Sequence, residues 1–182
     1  MKKTLLVVAI TFGLVLSGVA GWNYFTVTQP VRKAENNRIK VWAHFQNFVN
    51  PSVLCFDLRE THGSGKIDVL SILIRSAAEL KDDNFKAVIL QARGYDRFIL
   101  DGEYFKTLSN ESNPINTARA FPSHISRMDG KKAFPEVERR HVGGYSLMAS
   151  LAQMTADADA YGKELERYSD FSDQWYGSSN MS

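Results

Sequence analysis

The segment from His62 to Lys66, with the sequence HGSGK, is the part of this chain most similar to a phosphate-binding loop. It follows an apolar run and precedes a helical pattern, the setting in which backbone N–H groups and a lysine hold a phosphate. Two defining positions differ. Glu60 stands where the first glycine belongs, and Ile67 stands where a Ser or Thr would hold magnesium. Because Glu60 would repel phosphate, we interpret the segment as a flexible strand-to-helix turn.

A second group of reactive residue types lies beside this turn. Cys55 and Asp57 alternate onto one face of a predicted strand, and His62 follows near the end of that strand. A nucleophilic thiol needs an exposed, electropositive position and a base. These three residues are therefore the candidates for catalysis, and the alternative is that Cys55 is a packed core thiol. Cys55 is the single cysteine of the chain, so it cannot form an internal disulfide.

The sequence predicts no metal site and no cofactor. No two of the four histidines have the i, i+3 or i, i+4 spacing that places two imidazoles on one metal. The G-x-S-x-G segment that presents the serine of many hydrolases is also missing from the sequence. We therefore expect a protein that binds neither metal nor cofactor.

The segment from residue 119 to residue 141 is the most basic part of the chain after the N-terminal run. It is either a solvated loop or a surface for anions such as lipid headgroups. Aromatic residues do not alternate with these cations as they do where bases stack, and the net charge is only +2. Nucleic acid is therefore not an expected partner. The candidate anion-binding residues are Arg127, Lys131, Lys132, Arg139 and Arg140.

The C-terminal part of the chain has the pattern of one long helix. From Leu147 onward, apolar residues recur mostly at steps of three and four, which indicates a seam of coiled-coil type. The aromatic residues of this seam either cover the sheet or bind a protein partner, which includes a second copy of the chain. The candidate partner-binding residues are Tyr161, Tyr168, Phe171 and Trp175.

Hydrophobic periodicity predicts a single α+β domain over residues 26–176. Its small mixed sheet of three to four strands packs with helices and is followed by the long C-terminal helix. The first two predicted strands flank a helix and should be parallel, whereas the next pair should form a hairpin. The predicted elements are a connector at 26–30, helices at 31–49, 67–81 and 101–108, strands at 53–58, 86–92 and 97–100, a further strand within 115–121, and a disordered tail at 177–182.

The N-terminal 25 residues resemble an export segment. Lys2 and Lys3 precede the apolar run Leu5–Ala20, which is the pattern of a bacterial signal peptide. Cleavage after Ala20 is one possibility. Retention as an anchor is the other, because about 21 mostly apolar residues are enough to span a bilayer. Trp22 and Tyr24 then stand where an interfacial aromatic belt lies.

The two N-terminal lysines favour a cytoplasmic start and an exported domain, although Arg32, Lys33, Arg38 and Lys40 follow the apolar run. We therefore expect a single-pass protein of the bacterial inner membrane, which contacts the membrane through residues 4–25 and has its domain in the periplasm. The alternative is a cleaved, soluble periplasmic protein. The predicted function is that of a non-catalytic interaction module; the alternative is an exported enzyme with a cysteine- or carboxylate-based site at the end of strand 53–58.

Overall fold

The computed structural model describes residues 2–134, 136–137 and 147–177; for residues 2–10, 12, 16 and 147–149 it describes the backbone alone. A π-helical turn, Tyr24–Thr28, joins the first two helices, and a 3-10 turn, Phe121–His124, precedes the last strand. The helices are α1 Lys2–Asn23, α2 Gln29–Ala34, α3 Lys66–Glu79, α4 Gly102–Leu108, α5 Pro114–Ala120 and α6 Leu147–Tyr176. The strands are β1 Lys40–Gln46, β2 Asn50–Glu60, β3 Ala87–Ala92, β4 Tyr95–Asp101 and β5 Ile125–Ser126.

The sheet has five strands in the order β1-β2-β3-β4-β5. β2 and β3 run parallel, with Val53 beside Ala87, because α3 returns the chain to the same end of the sheet. All other neighbours are antiparallel, including the β3–β4 hairpin. The predicted α+β fold with a mixed sheet and a long C-terminal helix is thus confirmed, but the predicted count of three to four strands is too low.

One strand that the sequence did not predict is β1, at an edge of the sheet. It lies where the sequence pattern predicted a helix at 31–49. The helix instead ends at Ala34, and the side-chain oxygen of Asn36 accepts hydrogen bonds from the backbone N–H groups of Arg38 and Ile39. Such a local side-chain bond competes with helical hydrogen bonds. From Lys40 onward the side chains alternate between the two faces of the sheet, as they do in any strand.

The long segment 109–141 also contains an element of a different type from the one predicted. Residues 115–121 were expected to hold a strand, but they belong to α5 and the 3-10 turn that follows it. The side chain of Asn113 accepts hydrogen bonds from the N–H groups of Ile115 and Asn116, and Pro114 occupies the first turn. This cap and proline are ordinary signals for the start of a helix.

One face of the sheet carries the hydrophobic core, and α3 and α6 contribute to that core. Trp175 of α6 packs against Phe56 of β2, and its indole N–H donates to the carbonyl of Gln91 at 3.0 Å. The opposite face presents Trp42, His44, Cys55 and Asp57. The strand residues of the core are Val41, Ala43, Phe45, Leu54, Phe56, Leu58, Val88, Leu90, Ala92, Phe98, Leu100 and Ile125.

The N-terminal helix is continuous with the domain. Where a connector was expected at 26–30, the chain forms the π-helical turn and the start of α2, and Val27 and Val31 are fully buried in the core. Thr28 donates its hydroxyl hydrogen to the carbonyl of Ala43 in β1 at 2.6 Å. Among the residues that the structure describes, no helix combines the length and apolar character that crossing a bilayer requires.

Candidate functional site

The three candidate catalytic residues have separate environments. Cys55 is buried, and that burial, together with the charges of Asp96 and Asp57, raises the pKa of its thiol to about 12. The thiol is therefore protonated at neutral pH and is a poor nucleophile. His62 lies in an exposed loop, where its ring Nε2 is 2.9 Å from a carboxylate oxygen of Glu60. The imidazole thus pairs with this carboxylate rather than activating the thiol.

Asp57 is a buried residue whose carboxylate makes contacts that hold the fold together. Its side chain is fully buried, and one carboxylate oxygen lies 2.5 Å from a guanidinium nitrogen of Arg59. The other oxygen accepts a hydrogen bond from the N–H of Gly94 at 3.0 Å. The guanidinium carbon of Arg59 also lies 5.0 Å from the centre of the Trp42 ring. Asp57 therefore joins β2 to the β3–β4 turn, and both of its oxygens already have partners.

The loop from His62 to Lys66 joins β2 to α3, as the sequence indicated. The Lys66 ammonium lies 2.7 Å from a carboxylate oxygen of Asp173 and donates to the Ser169 hydroxyl at 2.6 Å. The Tyr168 hydroxyl in turn donates to the backbone carbonyl of Lys66. The lysine that resembles a phosphate ligand therefore attaches the start of α3 to α6.

The candidate anion-binding cations do not form an unpaired group. Arg127 is exposed, and Lys131 lies 3.6 Å from a carboxylate oxygen of Asp129. Lys132 forms an ion pair with Glu136. Two of the five residues thus already pair with acids, which weakens attraction for an external anion. The other two candidates, Arg139 and Arg140, lie outside the described residues.

The candidate partner-binding aromatic residues divide into two groups. Tyr168, Phe171 and Trp175 are almost completely buried in the core, where Phe171 packs against Phe98 and Phe121. These three side chains cover the sheet, which was the alternative interpretation of the sequence. Tyr161 is the exposed member, and its ring lies 4.3 Å from the guanidinium carbon of Arg119.

The first half of α6 continues the same apolar seam beyond the core. Leu151 and Met154 are exposed, and with Ala158 and Tyr161 they follow steps of three and four residues. The side chains from residue 150 to residue 159 are all exposed or half-buried. Because the helix has 30 residues, it is about 45 Å long. Its first half thus presents an apolar stripe to solvent.

A cavity of about 510 Å³ lies between α5 and the second half of α6. Arg119 and Arg167 line it together with Glu136 and Glu164, and Arg119 lies 2.7 Å from a carboxylate oxygen of Glu164. Burial lowers the pKa of Arg167, and the charges of the two glutamates oppose that change. The positive and negative charges around the cavity balance, so the cavity has no clear preference for an anion or a cation.

The most unusual surface lies where α1 meets β1. We call it the aromatic collar and define it as five exposed aromatic residues: Trp22, Tyr24, Phe25, Trp42 and Phe48. Trp22 lies near the end of α1, Tyr24 and Phe25 lie in the π-helical turn that follows, and the other two come from β1 and from the β1–β2 turn. Exposed apolar side chains that are grouped rather than scattered usually mark an interaction surface. The sequence identified Trp22 and Tyr24 as interfacial residues but placed Trp42 and Phe48 in a helix.

Hydrogen bonds hold the collar together. The side-chain amide of Asn23 donates to the carbonyl of Phe48 at 2.6 Å, and its oxygen accepts from the N–H of Phe45 at 2.8 Å. Both bonds pair backbone groups of β1 and its turn with a side chain of α1. Phe48 has a positive φ of 64°, an uncommon conformation for a bulky residue. The turn is thus held in a strained shape that leaves the Phe48 ring exposed.

A cavity of about 200 Å³ lies within the collar. The aromatic rings of Tyr24, Trp42, His44 and Phe48 line it, and the His44 ring stacks on Phe48 at 4.8 Å between ring centres. Arg32 also lines the cavity, with its guanidinium carbon 5.8 Å from the centre of the Tyr24 ring. The cavity thus combines aromatic walls with one cation.

Comparison with known protein families, with characterised proteins and with solved structures finds no match to this chain. Within the described ranges, no group of three or more His, Cys, Asp or Glu side chains is placed to hold a metal ion.

Proposed function

We propose that the chain is a single-pass protein of the bacterial inner membrane, with a non-catalytic domain held against the periplasmic surface. In this proposal residues 4–25 enter the membrane and the aromatic collar lies at the headgroup level. The collar is the observation that carries the proposal, because Trp and Tyr are enriched at membrane–water interfaces. Its residues come from α1, the π-helical turn, β1 and the β1–β2 turn, close to the end of the apolar N-terminal run.

The attachment of α1 to the sheet supports the same proposal. A flexible linker would let a domain rotate freely above the bilayer, whereas Asn23 and Thr28 bond directly to β1 and its turn. Val27 and Val31 are fully buried in the core of the domain. A helix joined in this way would hold the domain in one orientation relative to the membrane.

We further propose that the domain acts by contact with a protein, either another species or a second copy of this chain. The exposed first half of α6, with Leu151, Met154 and Tyr161, is the surface that supports this. The alternative, an exported enzyme that uses Cys55 and Asp57, has less support. The Cys55 thiol is buried with a raised pKa, and both Asp57 oxygens have partners.

Intact-mass measurement on fractionated cells tests the membrane part of the proposal. We expect the uncleaved chain, with its N-terminal residues, in membranes washed with alkaline carbonate. A mass that lacks the first twenty residues, found in the soluble periplasmic fraction, would contradict the proposal. In that case Gly21 would begin the mature protein and Asn23 would still be present to bond β1.

A further inference from the structure

The cavity within the aromatic collar supports an inference about its ligand, and this inference rests on the proposed membrane location. We propose that the cavity binds the phosphate group of an anionic phospholipid and that Arg32 pairs with that phosphate. Arginine suits this role, because its planar guanidinium can donate two parallel hydrogen bonds to phosphate oxygens.

The position of the Arg32 charge fits a headgroup. Arg32 belongs to α2, about two helical turns beyond the collar, but side chains on a helix point back toward its N-terminus. Its guanidinium carbon accordingly lies 5.8 Å from the centre of the Tyr24 ring. Tyr24 is a collar residue, so the cation lies at the level where the proposal places lipid phosphates.

The charges around the cavity favour an anion. None of the ion pairs in the described part of the chain includes Arg32, whereas Lys33 pairs with Glu79 and Lys40 pairs with Glu35. No acidic side chain is among the described residues that line the cavity. An anion that enters it would meet one cation and no carboxylate.

The size and the walls of the cavity fit part of a lipid. Its volume of about 200 Å³ is below the range of about 300–1,000 Å³ that is typical of sites for whole drug-sized ligands. The aromatic rings of Trp42 and Phe48 form an apolar wall suited to the glycerol and upper acyl region. The cavity would therefore hold a headgroup while the acyl chains remain in the bilayer.

The test uses the full chain reconstituted into nanodiscs that contain phosphatidylcholine and phosphatidylglycerol. After extraction in mild detergent, mass spectrometry gives the ratio of the two lipids that stay bound to the protein. We expect phosphatidylglycerol to be enriched about fivefold over the starting mixture, the effect of one cation near an anionic lipid. Arg32→Gln should return the ratio to that of the mixture. Arg38→Gln is the matched control, since Arg38 is exposed and does not line the cavity.

The results of this experiment test the lipid site and the membrane location separately. A chain that does not enter the nanodisc overturns the membrane location and this inference with it. Entry without enrichment, or enrichment that Arg32→Gln leaves unchanged, overturns the lipid site alone. Excess inorganic phosphate should not displace the bound lipid, because its acyl chains also contribute to binding. Displacement by phosphate would instead assign the cavity to a free anion.

Discussion

Asn23 and Phe48 lie 25 positions apart in the sequence and are joined by a hydrogen bond of 2.6 Å from the Asn23 side-chain amide to the Phe48 carbonyl. This bond joins the last residue of α1 to the turn between β1 and β2. The same side chain accepts a hydrogen bond from the N–H of Phe45, on the edge of β1 that faces away from β2. One asparagine therefore fixes the direction in which the N-terminal helix leaves the domain.

Replacement of Asn23 by alanine should loosen this joint. The N–H of Phe45, a residue that is 2% exposed, would lose its partner, which costs about 1–3 kcal/mol in the free energy of unfolding. Amide hydrogen exchange should become faster at Phe45 and in the β1–β2 turn, with little change in β3. Asn110→Ala is the control at an exposed site. Unchanged exchange at Phe45 in Asn23→Ala would show that the joint is held in another way.

The Cys55 thiol should be unreactive in the folded protein. Its pKa is raised to about 12, chiefly by burial, so very little thiolate is present at neutral pH. Alkylation with iodoacetamide should be negligible in the native protein and complete in denaturant, as measured by mass spectrometry. Rapid labelling of the native protein at neutral pH would contradict this environment and revive the enzyme alternative.

The same pKa shift predicts how stability depends on pH. Because the pKa of Cys55 is higher in the folded protein than its ordinary value of 9.0, the unfolded chain releases the thiol proton first as pH rises. The contribution of the thiol to stability is fully present below the ordinary value and is lost as pH rises towards 12. Cys55→Ala should remove this part of the loss of stability at alkaline pH, as measured by denaturant unfolding at several pH values. An equal loss of stability at alkaline pH in both proteins would contradict the raised pKa of Cys55.

The buried aromatic residues of α6 should contribute to stability. Trp175→Ala removes a side chain that is 1% exposed, together with its hydrogen bond to the Gln91 carbonyl, and should cost about 3–5 kcal/mol. Tyr161→Ala, at an exposed position of the same helix, should cost below about 1 kcal/mol. Denaturant unfolding monitored by circular dichroism measures both. Equal effects of the two substitutions would contradict the division of α6 into a buried and an exposed part.

Much of the fold could be predicted from the sequence, because β2, α3, β3 and β4 each have clear hydrophobic periods and short turns between them. The helix predicted at 101–108 is present as α4, and the side chain of Asp101 caps it by accepting a hydrogen bond from the N–H of Tyr104. These elements depend on residues close in sequence, which is where pattern-based prediction is most informative.

The strand β1 could not be predicted in the same way. Its apolar residues partly fit helical spacing, and its pairing with β2 is a tertiary contact that no local pattern contains. Trp42 and Phe48 were therefore assigned to a helix, and neither the aromatic collar nor its cavity was predicted. The burial of Tyr168 and Trp175 likewise depends on where α6 packs against the sheet. The sequence left that choice open between core and partner.

Quenching of tryptophan fluorescence by phospholipids with brominated acyl chains shows whether the aromatic collar lies in the membrane. The chain has three tryptophans: Trp22 and Trp42 lie exposed in the collar, whereas Trp175 is buried in the core. In vesicles of brominated lipid, the full chain should lose the emission of the two collar tryptophans. The variant with both Trp22→Phe and Trp42→Phe should keep its remaining emission, since Trp175 stays within the domain. Equal emission of the full chain in brominated and ordinary vesicles would show that the collar does not contact the bilayer.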